Sequence, residues 1–192
     1  MTSTQAGLQG IELGTQLIKH AVIRLQAEFP NMTTFSTLSP IPGFRSWLLM
    51  ELARAETQLL TENEISLLQS FLNSNADSAV SQFGAWIKDN SWSSIPDLAA
   101  VLKPVLLRLC ARYLCKEKRR NFALNSVANF HVRNGACLWR INWMADTSRR
   151  GMTNSCGIMV NYRYFLDKLE TNSNNYLSNY VMDTDKQVLE LL

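Results

Sequence analysis

Residues 123–143 read ALNSVANFHVRNGACLWRINW and place a short helix directly before a strand. Asn125 is a favourable N-cap for a helix over 126–133, and Asn134-Gly135 is the left-handed stop that often follows a helix. Beyond this stop, apolar residues at every second position predict a strand over 137–143 with one strongly apolar face. These residues are Cys137, Trp139, Ile141 and Trp143. A helix and a half-buried strand in one short segment predict an α+β fold built on a small sheet.

The flanking sequence extends this order in both directions. Helical spacing of apolar residues predicts a helix over 13–29, and 33–38 is rich in the β-branched and aromatic residues typical of a strand. The next segment, 39–43, contains two prolines, which exclude a helix and a central strand. Further on, 157–166 is compatible with either a strand or a helix, and 183–192 is predicted to be a final amphipathic helix.

The middle of the chain is predicted to be helical. The helices cover 44–54, 61–72, 78–88 and 98–118. Thr61 and Glu64 have the spacing of a capping box, and Ser94 with Asp97 is expected to open the last of these helices. Pro104 is expected to kink or interrupt it.

The composition excludes several classes of protein. The 192 residues are 46% hydrophobic and 18% charged, which excludes a disordered or collagen-like chain and suits one domain with a core. No apolar run approaches the roughly 18 residues that span a bilayer, so no membrane partner is expected. Four cysteines without a CxxC pair and two histidines do not supply a zinc site. We therefore expect no metal and interpret the thiols as reduced.

Charge is distributed unevenly along the chain. Residues 1–100 carry 5 Lys/Arg and 9 Asp/Glu, whereas residues 101–192 carry 14 and 7. A basic C-terminal half suits an anionic ligand such as a nucleotide or a CoA ester. Because the basic residues are interleaved with apolar ones rather than gathered in a stripe, nucleic acid is not the expected partner.

A glycine-containing loop enters the first predicted helix and is the candidate anion site. The loop is Gln9-Gly10-Ile11-Glu12-Leu13-Gly14-Thr15. Unpaired backbone N–H groups at a helix N-terminus can hold a pyrophosphate, and glycine lets the backbone approach it. The spacing matches neither GxGxxG nor the Walker A motif. In the alternative interpretation, the glycines only turn the chain into the helix.

This loop resembles the CoA-binding loop of the GCN5-related N-acetyltransferase (GNAT) family, although Gln9 is followed at once by Gly10. The string ANFHVRNGA (128–136) resembles a late segment of the same fold, in which a tyrosine acts as general acid toward the CoA sulfur. His131 stands at the position of that tyrosine. A histidine can donate a proton or a hydrogen bond near neutral pH. The alternative is a structural histidine with a backbone partner.

Longer blocks resemble the malonyl-CoA decarboxylase family, whereas the helical middle, about 45–105, matches it loosely. The blocks are GLQGIELGTQLIKHAV (7–22), FSTLSPIPGF (35–44), ALNSVANFH (123–131), NGACLWRINWMAD (134–146) and NSCGIMVNYRYF (154–165). The resemblance implies that 1–192 is the C-terminal portion of a catalytic domain with a partial GNAT-like fold and a helical insertion. Residues 1–44 would supply the CoA loop and the catalytic serine, 45–120 the helical segment, and 121–192 the catalytic histidine with the closing strand and helices.

The resemblance also implies an activity and a site, namely conversion of malonyl-CoA to acetyl-CoA and CO2 in malonyl-CoA catabolism and fatty acid metabolism. Ser39 matches the family's catalytic serine, assigned as proton acceptor, and His131 matches its catalytic histidine, assigned as proton donor. The loop 9–15 falls on the malonyl-CoA binding loop, and Glu12 and Tyr164 match further polar positions near the pocket. No cofactor is expected, because the thioester itself accepts the electrons released by decarboxylation.

The chemistry can be argued from the residue types. His131 is expected to hydrogen-bond the thioester oxygen, where charge develops, and Ser39 to orient the carboxylate or relay a proton. The sequence shows no base beside Ser39, so we do not expect an acyl-serine intermediate. Without the family resemblance, Ser39 would be interpreted as a cap of the following helix.

Members of the family carry an N-terminal helical domain, assemble as homotetramers and occur in mitochondria, peroxisomes or the cytosol. Because Thr2–Gln5 resembles the end of a strand without earlier partners, we interpret the chain as lacking the helical domain and the first strands. On this interpretation it has little activity alone. Two other hypotheses are an acyl-CoA-dependent N-acyltransferase, against which His131 argues, and an inactive fragment of the decarboxylase.

Overall fold

The computed structural model describes residues 13–54, 59–73 and 75–192. Helices surround a small antiparallel sheet, so the predicted α+β class is confirmed. The helices are α1 (Leu13–Glu28), α2 (Phe44–Leu52), α3 (Glu62–Leu72), α4 (Ala76–Asp89), α5 (Pro96–Cys115), α6 (Ser126–Arg133), α7 (Arg149–Ser155), α8 (Leu169–Asn179) and α9 (Lys186–Leu189). The strands are β1 (Phe35–Ser36), β2 (Ser39–Pro40), β3 (Lys118–Arg119), β4 (Phe122–Ala123), β5 (Cys137–Asn142) and β6 (Met159–Tyr164).

Strand β6 lies at the centre of the main sheet, so the ambiguous segment 157–166 is a strand. It pairs antiparallel with β5 on one side and with β1 and β2 on the other. The predicted strand 33–38 is shorter than expected, because paired residues stop at Ser36 and resume at Ser39. Pro40 has no N–H to donate and is accommodated because β2 pairs with β6 alone among the described strands. This pairing places Ser39 directly opposite Val160.

The predicted apolar face of the strand 137–143 is only partly correct. Leu138 pairs with Tyr162 and Arg140 pairs with Asn161, so Trp139 is an extra residue in a β-bulge. A one-residue shift moves the following side chains to the opposite face. Leu138, which precedes the bulge, lies fully buried, whereas Trp139 is half-buried.

Helices α2–α5 form the predicted helical segment and pack through a shared apolar core. The capping box at α3 is confirmed, with both hydrogen bonds between Thr61 and Glu64 present. The expected interruption at Pro104 is wrong, since α5 is continuous from Pro96 to Cys115. Pro104 and Ala100 are both exposed, so water can satisfy the carbonyl that the proline leaves without a donor. The predicted Ser94 cap is also wrong, because α5 begins with Pro96 at its first position and Ile95 as N-cap.

The C-terminal segment contains less helix than the sequence predicted. Only Lys186–Leu189 of 183–192 is helical. Leu138 donates its N–H to the carbonyl of Asp183 and accepts a hydrogen bond from the N–H of Asp185, so this segment runs beside β5 before the helix begins. Helices α7 and α8 and the hairpin β3–β4 were not predicted. Within the described ranges, no helix is long and apolar enough to cross a bilayer.

Candidate active site

Ser39 and His131 meet in the interior, although 92 positions separate them in the chain. The Ser39 Oγ lies 3.3 Å from the His131 Nε2. Both side chains are largely buried, with exposed fractions of 6% for Ser39 and 8% for His131. The structure therefore brings together the two residues that the sequence analysis predicted to be catalytic.

Helix α6 holds His131 against the sheet. Asn125 caps the helix as predicted, because its Oδ1 accepts a hydrogen bond from the N–H of Ala128 at 2.9 Å. Gly135 adopts a φ of +81° at the predicted stop. On the buried side of α6, the imidazole of His131 stacks on the ring of Tyr162, with centroids 4.5 Å apart and an interplanar angle of 22°.

Tyr164 binds the other ring nitrogen of His131. Its hydroxyl oxygen lies 2.7 Å from the His131 Nδ1. Tyr162 and Tyr164 point to the same face of β6, so one tyrosine supports the imidazole ring and the other its nitrogen. From the sequence Tyr164 is predicted only as a possible pocket residue, whereas the structure places it in direct contact with the histidine.

Burial keeps the hydrogen-bonded residues neutral. Loss of solvation lowers the pKa of His131 from 6.5 to about 4 and raises the pKa of Tyr164 above its ordinary value. A neutral imidazole has one N–H donor and one acceptor nitrogen. The donors and acceptors can therefore be arranged in two ways. In one arrangement, Tyr164 donates to Nδ1 and Nε2–H donates to Ser39. In the other, Ser39 donates to Nε2 and Nδ1–H donates to Tyr164.

The expectation that no base lies beside Ser39 is wrong. His131 is far from Ser39 in the sequence. Only the packing of α6 on the sheet brings its imidazole within hydrogen-bond distance of the serine. The site can therefore offer either a donor N–H to a ligand oxygen or an acceptor nitrogen to the Ser39 hydroxyl.

Thr37 is a site residue that the sequence analysis missed. Its Oγ1 lies 2.9 Å from the Ser39 Oγ and accepts a hydrogen bond from the N–H of Tyr162 at 3.4 Å. The two hydroxyl residues stand two positions apart in an extended segment, which is the spacing of side chains on one face of a strand. This spacing was the available signal for Thr37.

Most of the predicted phosphate loop lies outside the described residues. This part includes Gln9, Gly10, Ile11 and Glu12, whereas Leu13, Gly14 and Thr15 form the start of α1. The assignment of this loop to a ligand therefore stays a prediction.

The cysteines have the properties of buried thiols. All four are free, and burial raises the pKa of each thiol, so they remain protonated near neutral pH. In the part of the chain that the structure describes, no group of three or more His, Cys, Asp or Glu side chains is arranged to hold a metal ion.

Comparison with known proteins gives consistent matches over the whole chain. Residues 1–192 match the family model described as malonyl-CoA decarboxylase C-terminal domain. The chain is 46% identical over 194 residues to the mitochondrial malonyl-CoA decarboxylase of Rattus norvegicus and 47% identical over 191 residues to that of Anser anser anser. Each comparison covers 98% of this chain but only 39% and 38%, respectively, of those relatives.

Solved structures share the fold. The crystal structure of malonyl-CoA decarboxylase from Rhodopseudomonas palustris matches 100% of this chain with a TM-score of 0.80 and 35% identity. The structure from Cupriavidus metallidurans matches 99% of it with a TM-score of 0.77 and 35% identity. This chain covers 40% and 46% of those two chains, respectively.

Proposed function

The chain belongs to the malonyl-CoA decarboxylase family, and from this premise we propose that the protein converts malonyl-CoA to acetyl-CoA and CO2. The observation that carries the proposal is the buried imidazole of His131, which is bound at Nδ1 by Tyr164 and faces Ser39 with Nε2. This arrangement provides a neutral hydrogen-bond donor of fixed orientation, which suits a reaction that develops negative charge on an oxygen.

The reaction needs stabilisation of an enolate. When the bond between the α-carbon and the carboxylate breaks, its electron pair moves onto the thioester and forms an enolate. With the Tyr164 hydroxyl donating to Nδ1, the Nε2–H of His131 is free to move its hydrogen bond from Ser39 to the thioester oxygen. Because negative charge grows on that oxygen, this bond is stronger in the transition state than in the ground state.

Ser39 completes the proposed site. Its hydroxyl lies between His131 and Thr37, where it can orient the substrate carboxylate and pass a proton along the hydroxyl groups. The α-carbon finally takes a proton that originates from solvent, which gives acetyl-CoA. No cofactor enters this proposal, because the thioester accepts the electron pair.

Substrate binding, assembly and location are further parts of the proposal. We assign the pyrophosphate of CoA to the loop 9–15, since α1 begins at Leu13 and leaves backbone N–H groups at its first turn. The names of the vertebrate relatives support mitochondria as one of the three expected compartments. The homotetramer stays a prediction from the family resemblance.

Substitution of His131 tests the function. In the complete protein, His131→Asn should lower kcat for malonyl-CoA decarboxylation by about 10²–10³, because one oxyanion donor is lost. KM should change little, since the lost bond forms mainly in the transition state. His20→Asn, which changes the exposed second histidine of the chain, is the matched control and should retain parental kcat. Release of CO2 at parental kcat by His131→Asn would remove the histidine from the mechanism.

Ser39→Ala provides a second test of the proposed function. It should also lower kcat, and the double variant should lose less than the product of the two single losses, because the two side chains are in contact and act together on one transition state. Strictly multiplicative losses would mean that Ser39 and His131 contribute independently of each other.

A further inference from the structure

We propose that Asn125 is a positioning residue that clamps the serine-bearing loop to the histidine-bearing helix; this inference rests on the proposed function. The side chain of Asn125 is 1% exposed, and both ends of its amide are used. Its Oδ1 accepts from the N–H of Ala128 in α6, and its Nδ2 donates to the carbonyl oxygen of Pro42 at 2.9 Å.

These two hydrogen bonds close a ring of contacts around the site. Pro42 lies three residues after Ser39, and α6 runs from the Asn125 cap to His131 as a rigid unit. The contact between Ser39 and His131 closes the other side of the ring. A shift of either segment relative to the other therefore changes the distance between the two catalytic groups.

The distance between these groups has little tolerance. At 3.3 Å the contact between Oγ and Nε2 lies near the long end of the hydrogen-bond range. A displacement of about 1 Å in a catalytic group can cost up to about 10² in rate. A clamp that fixes the loop against the helix thus contributes directly to the geometry that the proposed reaction requires.

The capping role alone does not require an amide. Ser, Thr and Asp cap helices about as well as Asn, but none of them has an N–H group that could donate to Pro42. The Pro42 carbonyl has a second donor, because the hydroxyl of Tyr113 in α5 lies 3.1 Å from it. Two buried donors on one loop carbonyl indicate that the position of this loop is strongly specified.

Asn125→Ser separates the clamp from the cap. The serine hydroxyl can still accept from the N–H of Ala128, but the bond to Pro42 is lost. We expect kcat of the complete protein to fall about 10-fold to 10²-fold while KM stays within about twofold. The matched control is Asn75→Ser, which changes the cap of α4 in the same way, since Asn75 Oδ1 accepts from the N–H of Ser78 at 2.9 Å. This control should keep parental kcat.

A double variant distinguishes positioning from a general structural role. If Asn125 acts through the geometry of His131, Asn125→Ser should cause no further loss of kcat in the His131→Asn background. A full additional loss there, or parental kcat in the single variant, would overturn the proposal. If Asn125→Ser does not fold, Asn125→Thr, which keeps a hydroxyl acceptor for the cap and likewise has no N–H group for Pro42, should lower kcat in the same direction. Parental kcat in folded Asn125→Thr would then overturn the proposal.

Nuclear magnetic resonance separates failure of the clamp from failure of the proposed function. With 15N-labelled histidine, the ring signals of His131 are assigned by their loss in His131→Asn. Asn125→Ser should shift these signals, whereas Asn75→Ser should not. If the parent protein fails to decarboxylate malonyl-CoA but the signals shift, the function is wrong and the clamp stands. Unchanged ring signals in Asn125→Ser would refute the clamp whatever the activity.

Discussion

Acidification should destabilise the fold through His131, because its imidazole is buried in the neutral form. Burial lowers its pKa from 6.5 to about 4, so the unfolded chain binds a proton between these two values while the folded chain does not. The stabilising contribution is fully present above pH 6.5 and is lost as the pH falls toward 4. At about 1.4 kcal/mol per pKa unit, the whole effect is about 3 kcal/mol.

Most of this loss should already occur by pH 5. Integration of the proton uptake predicts that the free energy of unfolding decreases by about 2 kcal/mol between pH 7 and pH 5 because of His131 alone. Carboxyl groups also titrate toward the end of this range, so the prediction concerns the difference between the parent protein and His131→Asn. The variant lacks the titrating ring, so its free energy of unfolding should decrease by about 2 kcal/mol less than that of the parent over the same pH range.

Urea unfolding followed by tryptophan fluorescence, at pH 7 and pH 5, measures the difference. The parent should lose about 2 kcal/mol more than His131→Asn. Equal pH dependence in the parent and His131→Asn would refute the argument, since it would mean that the imidazole protonates equally well in the folded and unfolded states.

Two further predictions concern the support of the site. Tyr164→Phe should leave the Nδ1 of His131 without its partner, lower the free energy of unfolding by about 1–3 kcal/mol and reduce kcat about tenfold. Urea denaturation measures the first effect and steady-state kinetics the second. Unchanged kcat would show that this bond does not orient the ring. Gly135→Ala should destabilise the fold by about 3 kcal/mol or more in urea, because the residue has a φ of +81° and a Cβ would clash with the carbonyl oxygen of Leu169. Gly84→Ala is the control, because Gly84 lies in a helix and an added Cβ would meet only a side-chain carbon at 4.0 Å. This substitution should be neutral or stabilising. Equal effects at the two glycines would contradict the steric argument.

Signals confined to a few neighbouring residues predicted the local structure well. The capping box of Thr61 and Glu64, the Asn125 cap and the stop at Asn134-Gly135 are all present, because each depends on hydrogen bonds or backbone angles within one turn. Pro104 was misinterpreted, since its effect depends on whether water can reach the carbonyl of the preceding turn.

The sequence alone determined the α+β class, most of the helices, the family resemblance and the identity of Ser39 and His131 as candidate catalytic residues. Only the tertiary structure decided how these residues act together. The bulge at Trp139 depends on pairing with a strand some 20 positions later, and the contact between Ser39 and His131 spans 92 positions. Neither has a local signal, because strand register and the docking of α6 follow from the burial of apolar surface across the whole fold. That docking also determines the neutral state of His131, since the shift of its pKa comes from the solvent that the surrounding residues exclude.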